Sequence, residues 1–329
     1  MKILSASDRD IEKAAAALAA GGLVAFPTET VYGLGADAFN PSALARIFEA
    51  KERPRFDPLI IHIAEYDALH KIADTSSLDE KARERLSILS QRLWPGPFTV
   101  ILPKRKEVPD LATAGLDTAA IRFPSHPVAQ KLIRISTGAV AAPSANHFGK
   151  LSPTRAEHVK SQLGEKVDYI IDGGKTQVGL ESTVLDLSRD PPMILRLGGT
   201  SKKAIEAEIG AVELSLDSSP ELLFSPGQLK SHYAPKTPLI LCHRGKLASI
   251  PYSPDEGRLY FSPPRKEIET DPAKTKILSE TGDLTEAAAN LFDMLYELDS
   301  LGLKLIRAEG APNTGLGEAI NDRLRRAAE

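Results

Sequence analysis

Lys51-Glu52-Arg53-Pro54-Arg55 places three cations in five residues at the end of a helical stretch. Several fixed cations neutralise a polyanion, and proline stiffens the segment that carries them, so one reading is a triphosphate clamp. The other reading is plain: cations at a helix C-terminus favour its dipole and face solvent. Spacing does not separate the two. Pro143-Ser144-Ala145-Asn146 and Ser152-Pro153-Thr154 set hydroxyl and amide groups just after an apolar run. Such groups bind phosphate or ribose. They also cap helices, and for Ser152 and Thr154 the cap is favoured. His62 interrupts Leu59-Ile60-Ile61-His62-Ile63, where a core residue is expected. A lone histidine in a strand is more often a satisfied core residue than a reagent. Glu181-Ser182-Thr183 opens another strand and can be structural.

Two glycine motifs tempt and fail. Gly33-Leu34-Gly35-Ala36-Asp37-Ala38 has dinucleotide-loop spacing, but Thr28-Glu29-Thr30-Val31-Tyr32 separates it from the strand ending at Phe26. A tight turn using glycine's backbone freedom is favoured instead. Gly173-Gly174-Lys175-Thr176 lacks the earlier glycine of a Walker loop, since Tyr169 stands there. The seven histidines show no His-Glu-x-x-His or comparable spacing, so a protein-bound zinc is not expected. There is no Gly-x-Ser-x-Gly nucleophile elbow.

The elements that must position these groups alternate in type. Residues 8–20 read as a helix with Ile11, Ala14, Ala15 and Leu18 on one face. Leu23 to Phe26 is a short buried strand. Asn40-Pro41 opens a second helix, with Asn as cap and Pro in the first turn. Pro54 and Pro58 keep residues 52–58 out of helix. Strands are expected at 59–63, 98–102, 119–123, 139–142, 169–171, 183–187 and 193–197. Helices are expected from Ser77-Leu78-Asp79-Glu80 to about Arg92, over 127–135, and from Thr154 to Leu163, the first and last opened by capping boxes. Several strands follow one another directly, which favours a mixed α/β sheet over a parallel one. Residues 215–238 are rich in Ser, Pro, Gly and Lys and read as a linker. The pattern then restarts, with strands at 239–242, 259–261 and 303–306, a helix capped by Asp283 and a final helix from Gly317 to Arg326. That is a small second α/β domain.

Composition narrows the class. With 329 residues, 42% apolar and 26% charged, the chain is an ordinary globular protein of about two domains. A net charge of −3 gives no global case for nucleic-acid binding, though a local basic groove is allowed. The single cysteine, Cys242, cannot form an internal disulfide, which points to a reducing compartment and the cytoplasm. Charges enter too early for a signal peptide, and no run approaches the ~20 apolar residues of a membrane span.

Five segments in order resemble the Sua5/YciO/YrdC family: Phe26-Pro27-Thr28-Glu29-Thr30-Val31-Tyr32-Gly33-Leu34-Gly35, Lys51-Glu52-Arg53-Pro54, Pro58-Leu59-Ile60-Ile61-His62, Ala142-Pro143-Ser144-Ala145-Asn146 and Glu181-Ser182-Thr183-Val184. The resemblance extends over residues 10–205. Ser225-Pro226-Gly227, His232-Tyr233-Ala234-Pro235, Gly315-Leu316-Gly317 and Asn321-Asp322-Arg323-Leu324 resemble the long, two-domain Sua5 form. The resemblance implies a YrdC-like twisted mixed sheet with a large groove over residues 1–210. It implies a linker or lid at 211–237 and a small Rossmann-like α/β domain at 238–329. It implies threonylcarbamoyl-AMP synthase activity: L-threonine, bicarbonate and ATP to L-threonylcarbamoyladenylate and pyrophosphate, for t6A at position 37 of ANN-decoding tRNA. By motif, threonine is expected near Thr30, His62, Arg122, Ala142 and Ser182. ATP is expected near Lys51, Arg53, Asp57, Thr118, Ser144, Asn146, Ser152, Arg196, His232 and Tyr233. Lys51 and Arg53 are the expected catalytic cations, with Mg2+ held mainly by the triphosphate. A downstream threonylcarbamoyl transferase complex is the implied partner, with no stable tRNA binding. The family usually has Asn where Asp57 stands, and a methionine where Gln228 follows Gly227. An RNA-binding module and a carbamoyl-transfer relative without threonine are the competing readings. Arg122, His62 and Ser182 together favour an amino-acid pocket over both.

Overall fold

The computed structural model describes residues 1–215, 233–264 and 271–329. Its strands are β1 Lys2–Ser5, β2 Val24–Pro27, β3 Tyr32–Asp37, β4 Ile60–Ile63, β5 Phe98–Pro103, β6 Thr118–Arg122, β7 Ala139–Ala141, β8 Tyr169–Asp172, β9 Thr183–Asp186, β10 Met193–Arg196, β11 Glu213–Leu214, β12 Leu239–Cys242, β13 Glu256–Tyr260, β14 Thr275–Ile277 and β15 Leu305–Glu309. Eleven form one sheet in the order β1-β8-β2-β3-β7-β4-β6-β5-β9-β10-β11, with parallel and antiparallel neighbours mixed as the pattern predicts. The other four form a parallel sheet, β12-β15-β13-β14, in a second, C-terminal domain.

Strand alternation decides what each face of the large sheet carries. Leu23 and Ala25 point into the main core with helices Pro41–Lys51 and Glu80–Leu93, as do Ile61, Ile63, Ala119 and Ile121. Val24 and Phe26 point the other way, under helices Asp8–Ala19 and Pro127–Ile135. Farther along that second face lies a small apolar patch of Ile60, Ile101, Ala120, Val184 and Leu195. Register puts His62 beside Arg122, and the period of two sets both on this face with Ile60 and Ala120. The histidine that interrupts an apolar strand thus leaves the main core.

Several expectations need correction. Gly33 and Gly35 lie inside β3, in neither a turn nor a phosphate loop. A Cβ on Gly35 would stand 2.7 Å from Phe26 Cε1 and 2.8 Å from Val140 Cγ1, so glycine serves close strand packing here. Helix Glu80–Leu93 is capped by Asp79, which accepts from Ala82 N–H at 2.7 Å, and Ser77 lies outside it. Helix Ala156–Leu163 begins after Thr154, and Arg155 at its N-cap makes no side-chain cap. Strands β1, β11 and β14 and helix Lys202–Ile209 lack a pattern strong enough to be read. β1 is an edge strand exposed at three of its four residues, and β11 has only two residues. Among the described residues no helix is long and apolar enough to cross a membrane.

The two domains share apolar surface. Val31, Leu151 and Leu180 of the first belong to the same cluster as Phe292, Leu295 and Ile320 of the second. Arg155 grips Asp293 through Nε at 2.7 Å and Nη2 at 3.1 Å, and Lys175 Nζ reaches the same carboxylate at 2.9 Å.

Candidate active site

A cavity opens at the edge of the apolar patch, with Ile60 in its lining. Its lining includes Thr30, Arg53, His62, Arg122, Ala142, Ser144, Ser182, Arg196 and Tyr233. Nine of the expected site residues therefore share one cavity, although they come from three strands, β4, β6 and β10, and from six positions in the connecting segments.

The floor is β4 and β6. Arg122 Nη2 stands 2.7 Å from Glu29 Oε1, and Nε donates to the Gly96 carbonyl at 3.3 Å. The Nη2–Oε1 approach is charge pairing without hydrogen-bond alignment, so both atoms keep hydrogen-bonding capacity. Glu29 Oε2 accepts the Ser125 N–H at 3.1 Å. His62 Nδ1 lies 3.2 Å from the Ile60 carbonyl. A carbonyl only accepts, so Nδ1 carries the proton and Nε2 is left as an acceptor. Burial first, then the positive charges of Arg122 and Arg196, push the imidazole pKa down to about 3. This histidine is neutral at physiological pH. Thr28 Oγ1 donates to the Val31 carbonyl at 2.7 Å, so at the 2.8 Å Thr28–Thr30 contact it is Thr30 that donates. Thr30 keeps its lone pairs for a ligand.

The floor's cationic side, on the segment that leads into β4, is more constrained. Arg53 Nη2 pairs with Asp57 Oδ1 at 2.8 Å and donates to the Pro58 carbonyl at 2.9 Å, while Nε donates to the Asp57 carbonyl at 3.1 Å. Asp57 lies behind Arg53, outside the cavity lining, as a brace. Burial raises the Asp57 carboxyl against the pull of Arg53 and Lys51. Lys51 Nζ donates to the carbonyls of Ser144 at 2.6 Å and Asn146 at 2.5 Å. It borders a neighbouring cavity, and burial holds its ammonium well below the ordinary lysine range. Asn146 holds its own loop, donating to the carbonyls of His147 and Lys150, both at 2.8 Å. Thr118 shares the face of Arg122 but lies outside the lining.

The remaining wall is Glu181, Ser182, Arg196 and Tyr233. Ser182 Oγ contacts Thr99 Oγ1 at 2.7 Å, and Arg196 donates from Nη2 to Ser182 Oγ at 3.1 Å and from Nε to its carbonyl at 3.1 Å. Gly198 permits this closeness: a Cβ there would lie 2.3 Å from the Glu181 carbonyl oxygen and 2.6 Å from Thr183 N. Glu181 accepts from Ser152 Oγ on one oxygen and from Arg323 Nε, at 2.9 Å, on the other. Ser152 is thus committed to Glu181 instead of facing the cavity. Burial pushes the Glu181 carboxyl up, and Arg323 and Arg196 more than offset it, leaving it below its ordinary value. Tyr233 has φ of 66°, the left-handed region that non-glycine residues rarely adopt. His232 lies outside the described residues.

The sequence reading missed the acids Glu29 and Glu181 and the cation Arg323 as site groups. Glu29 carried one signal, a charge within an otherwise apolar and hydroxyl-bearing run. Nothing along the chain pairs Glu181 with a residue 142 positions away.

Comparison with known proteins agrees with this architecture. The Sua5/YciO/YrdC family model, described as telomere recombination, matches residues 16–198. The Sua5 C-terminal model, described as the C-terminal domain of threonylcarbamoyl-AMP synthase, matches residues 200–329. A threonylcarbamoyl-AMP synthase of Pyrococcus abyssi is 42% identical over 96% of this chain and 93% of its own. One of Bacillus subtilis is 43% identical over 99% of this chain and 94% of its own. The crystal structure of P. abyssi Sua5 complexed with L-threonine superimposes with a TM-score of 0.88 at 38% identity, covering 100% of this chain and 98% of that one. Escherichia coli YciO aligns with 60% of this chain and 95% of its own, with a TM-score of 0.52 at 26% identity. In its motifs, its large mixed sheet and its appended second domain, the chain belongs to the Sua5/YciO/YrdC family, in the long form that carries the Sua5 C-terminal domain.

Proposed function

We propose that this protein makes L-threonylcarbamoyladenylate from L-threonine, bicarbonate and ATP, releasing pyrophosphate, as the first committed step toward t6A37 in ANN-decoding tRNA. The observation that carries the reading is the pairing of Arg122 and neutral His62 on adjacent strands, facing the same cavity as Arg53 and Arg196. One end suits a zwitterionic amino acid and the other a polyphosphate. Full-length similarity to threonylcarbamoyl-AMP synthases supports it.

In this reading threonine lies among Thr30, His62, Arg122, Ala142 and Ser182. Arg122 offers its guanidinium to the threonine carboxylate, because the fork matches two oxygens. Glu29 keeps that fork oriented. The threonine amine adds bicarbonate with loss of water, giving an N-carboxylate. A carbamate oxygen then attacks the α-phosphorus, the bond to the β-phosphate bridging oxygen breaks, and pyrophosphate departs. No protein nucleophile is needed. Arg53 and Arg196 meet phosphate charge, with Lys51 and Asn146 fixing the Ser144 loop against which the nucleotide lies. Thr118, Ser152, Asp57, Tyr233 and His232 complete the nucleotide surroundings from the second row, the groove edge and the linker. Mg2+ travels on the triphosphate as part of that substrate.

We take residues 1–210 as the catalytic domain, extended by β11, which joins its sheet, the chain from there to 237 as a linker that closes over the nucleotide, and 238–329 as the C-terminal domain. The lone cysteine fits a cytoplasmic setting. A downstream threonylcarbamoyl transferase receives the labile product, and no stable tRNA complex is expected. The test is pyrophosphate release from ATP and bicarbonate with L-threonine, with L-serine, and with no amino acid. Threonine-dependent release supports the synthase. Release indifferent to the amino acid, from folded protein with Mg2+ present, rejects it.

A further inference from the structure

We propose that Arg323, on the last helix of the C-terminal domain, is a positioning residue for the groove: it sets Glu181 and Tyr233 in the wall, so the site is complete only with that domain seated. The inference deepens the synthase reading and rests on it.

Arg323 is 1% exposed, and every nitrogen of its fork is committed. Nε donates to Glu181 Oε2 at 2.9 Å, Nη2 to the Leu197 carbonyl at 2.8 Å and Nη1 to Asp322 Oδ2 at 2.7 Å. Its guanidinium carbon lies 4.9 Å from the centre of the Tyr233 ring. Glu181 and Tyr233 both line the cavity, whereas Arg323 does not. Arg323 therefore acts through the two residues it holds. Helix Leu316–Ala328 is in turn stiffened by the Asp322–Arg326 pair at 3.1 Å. The effect reaches further along the chain, because Glu181 precedes Ser182, whose carbonyl and hydroxyl hold Arg196.

A simple adhesive role explains this less well. Burying an ion pair contributes little net stability, since desolvation offsets the attraction. The seam already has Arg155 and Lys175 on Asp293, neither of which lines the cavity, and shared apolar surface. What a planar guanidinium adds is direction. It fixes a carboxylate and an aromatic ring in one arrangement. Tyr233, held at positive φ with Arg323 beside its ring and Phe292 5.6 Å away, is a residue whose placement needs such a hold.

The experiment compares Arg323→Met, Arg323→Lys and Arg155→Gln in the full chain. It reads kcat at saturating substrates, calorimetric affinity for ATP, circular dichroism and Tm. Arg323→Met should lose at least about tenfold in both kcat and ATP affinity, with Arg323→Lys recovering part of each. Arg155→Gln, which cuts a seam pair remote from the cavity, should stay within about twofold on both. Folded Arg323→Met matching the wild type within about twofold overturns the proposal, as does an equal loss in Arg155→Gln. If Arg323→Met does not fold, the neutral pair Glu181→Gln with Arg323→Gln replaces it under the same criteria, since it leaves no lone buried charge. Absence of threonine-dependent release in the wild type rejects the synthase reading, and the ATP-affinity arm still decides the role of Arg323.

Discussion

The floor and the far wall of the groove both bury charge, but they handle it differently. On the floor, Arg122 faces Glu29 at 2.7 Å without hydrogen-bond alignment, and Arg53 braces on Asp57, whose second oxygen has no partner. At the wall, both oxygens of Glu181 are hydrogen-bonded, and Arg323 uses all of its nitrogens. Unspent capacity in a dry site is costly unless something arrives to use it. The floor is thus built to meet substrate charge, and the Glu181–Arg323 part of the wall, behind Arg196, to hold a shape. Changing a floor group without stranding its buried partner should damage binding or chemistry more than stability, and loosening the wall should do both.

The largest effect is expected at Arg53. Arg53→Lys keeps one charge but loses the fork, and pyrophosphate release should fall by about 100-fold with the fold retained. Arg53→Ala goes further, because it strands Asp57 as an unpaired buried carboxylate and should cost about 3–5 kcal/mol of stability. An alanine variant with unchanged Tm means Asp57 is not braced as drawn. Next comes Arg122→Lys. A point charge cannot grip a carboxylate with two parallel bonds, so KM for threonine should rise about 10–100-fold while KM for ATP moves little. An equal rise for both substrates removes Arg122 from the amino-acid end.

The same contrast sets what the sequence discloses. Floor positions are local. His62 lies in a four-residue strand whose alternation puts it opposite the core-facing Ile61 and Ile63, and Arg53 and Asp57 are four residues apart. Short-range pattern and motif order therefore bring Thr30, His62 and Arg122 into view. The wall depends on contacts between distant segments, and no one-dimensional spacing encodes them. Ser152 illustrates the cost: its type suggests a phosphate ligand or a cap, yet its hydroxyl is spent on Glu181. Gly33 and Gly35 mislead for a related reason. Glycine reads as a turn along the chain, while here Phe26 and Val140 press on the strand from outside it.

Gly198 tests the wall without touching a charge. Gly198→Ala drives a methyl group against the Glu181 carbonyl and the Ser182–Thr183 backbone, so the loop must move. Overpacking of this kind should cost about 1–3 kcal/mol and reduce turnover, with the Tm loss and the activity loss appearing together. An alanine variant of normal Tm and activity shows that this backbone can yield, and the wall is then less rigid than the contrast requires.

The smallest effect is proton-linked and again separates floor from seam. His158 stacks on Tyr296 at 3.7 Å and lies among Asp293, Arg155, Glu157 and Glu297. Burial holds its pKa down at about 4, against the pull of Asp293, and His62 on the floor is held at about 3. Both folded values lie below the unfolded value of about 6.5. The unfolded chain therefore takes up protons first as pH falls. The stability tied to each neutral ring is complete above pH about 6.5 and is lost as pH drops through the folded values. His158→Gln should flatten the fall of Tm between pH 7 and pH 5 by the equivalent of about 1 kcal/mol, after allowance for its partial solvent screening. Activity should not share that dependence. His62 stays neutral throughout the range, so kcat/KM should show no limb near pH 6.5 that disappears in His62→Gln. Such a limb would mean that the floor histidine titrates as an ordinary imidazole, and the dry, poised floor would have to be redrawn as a wet one.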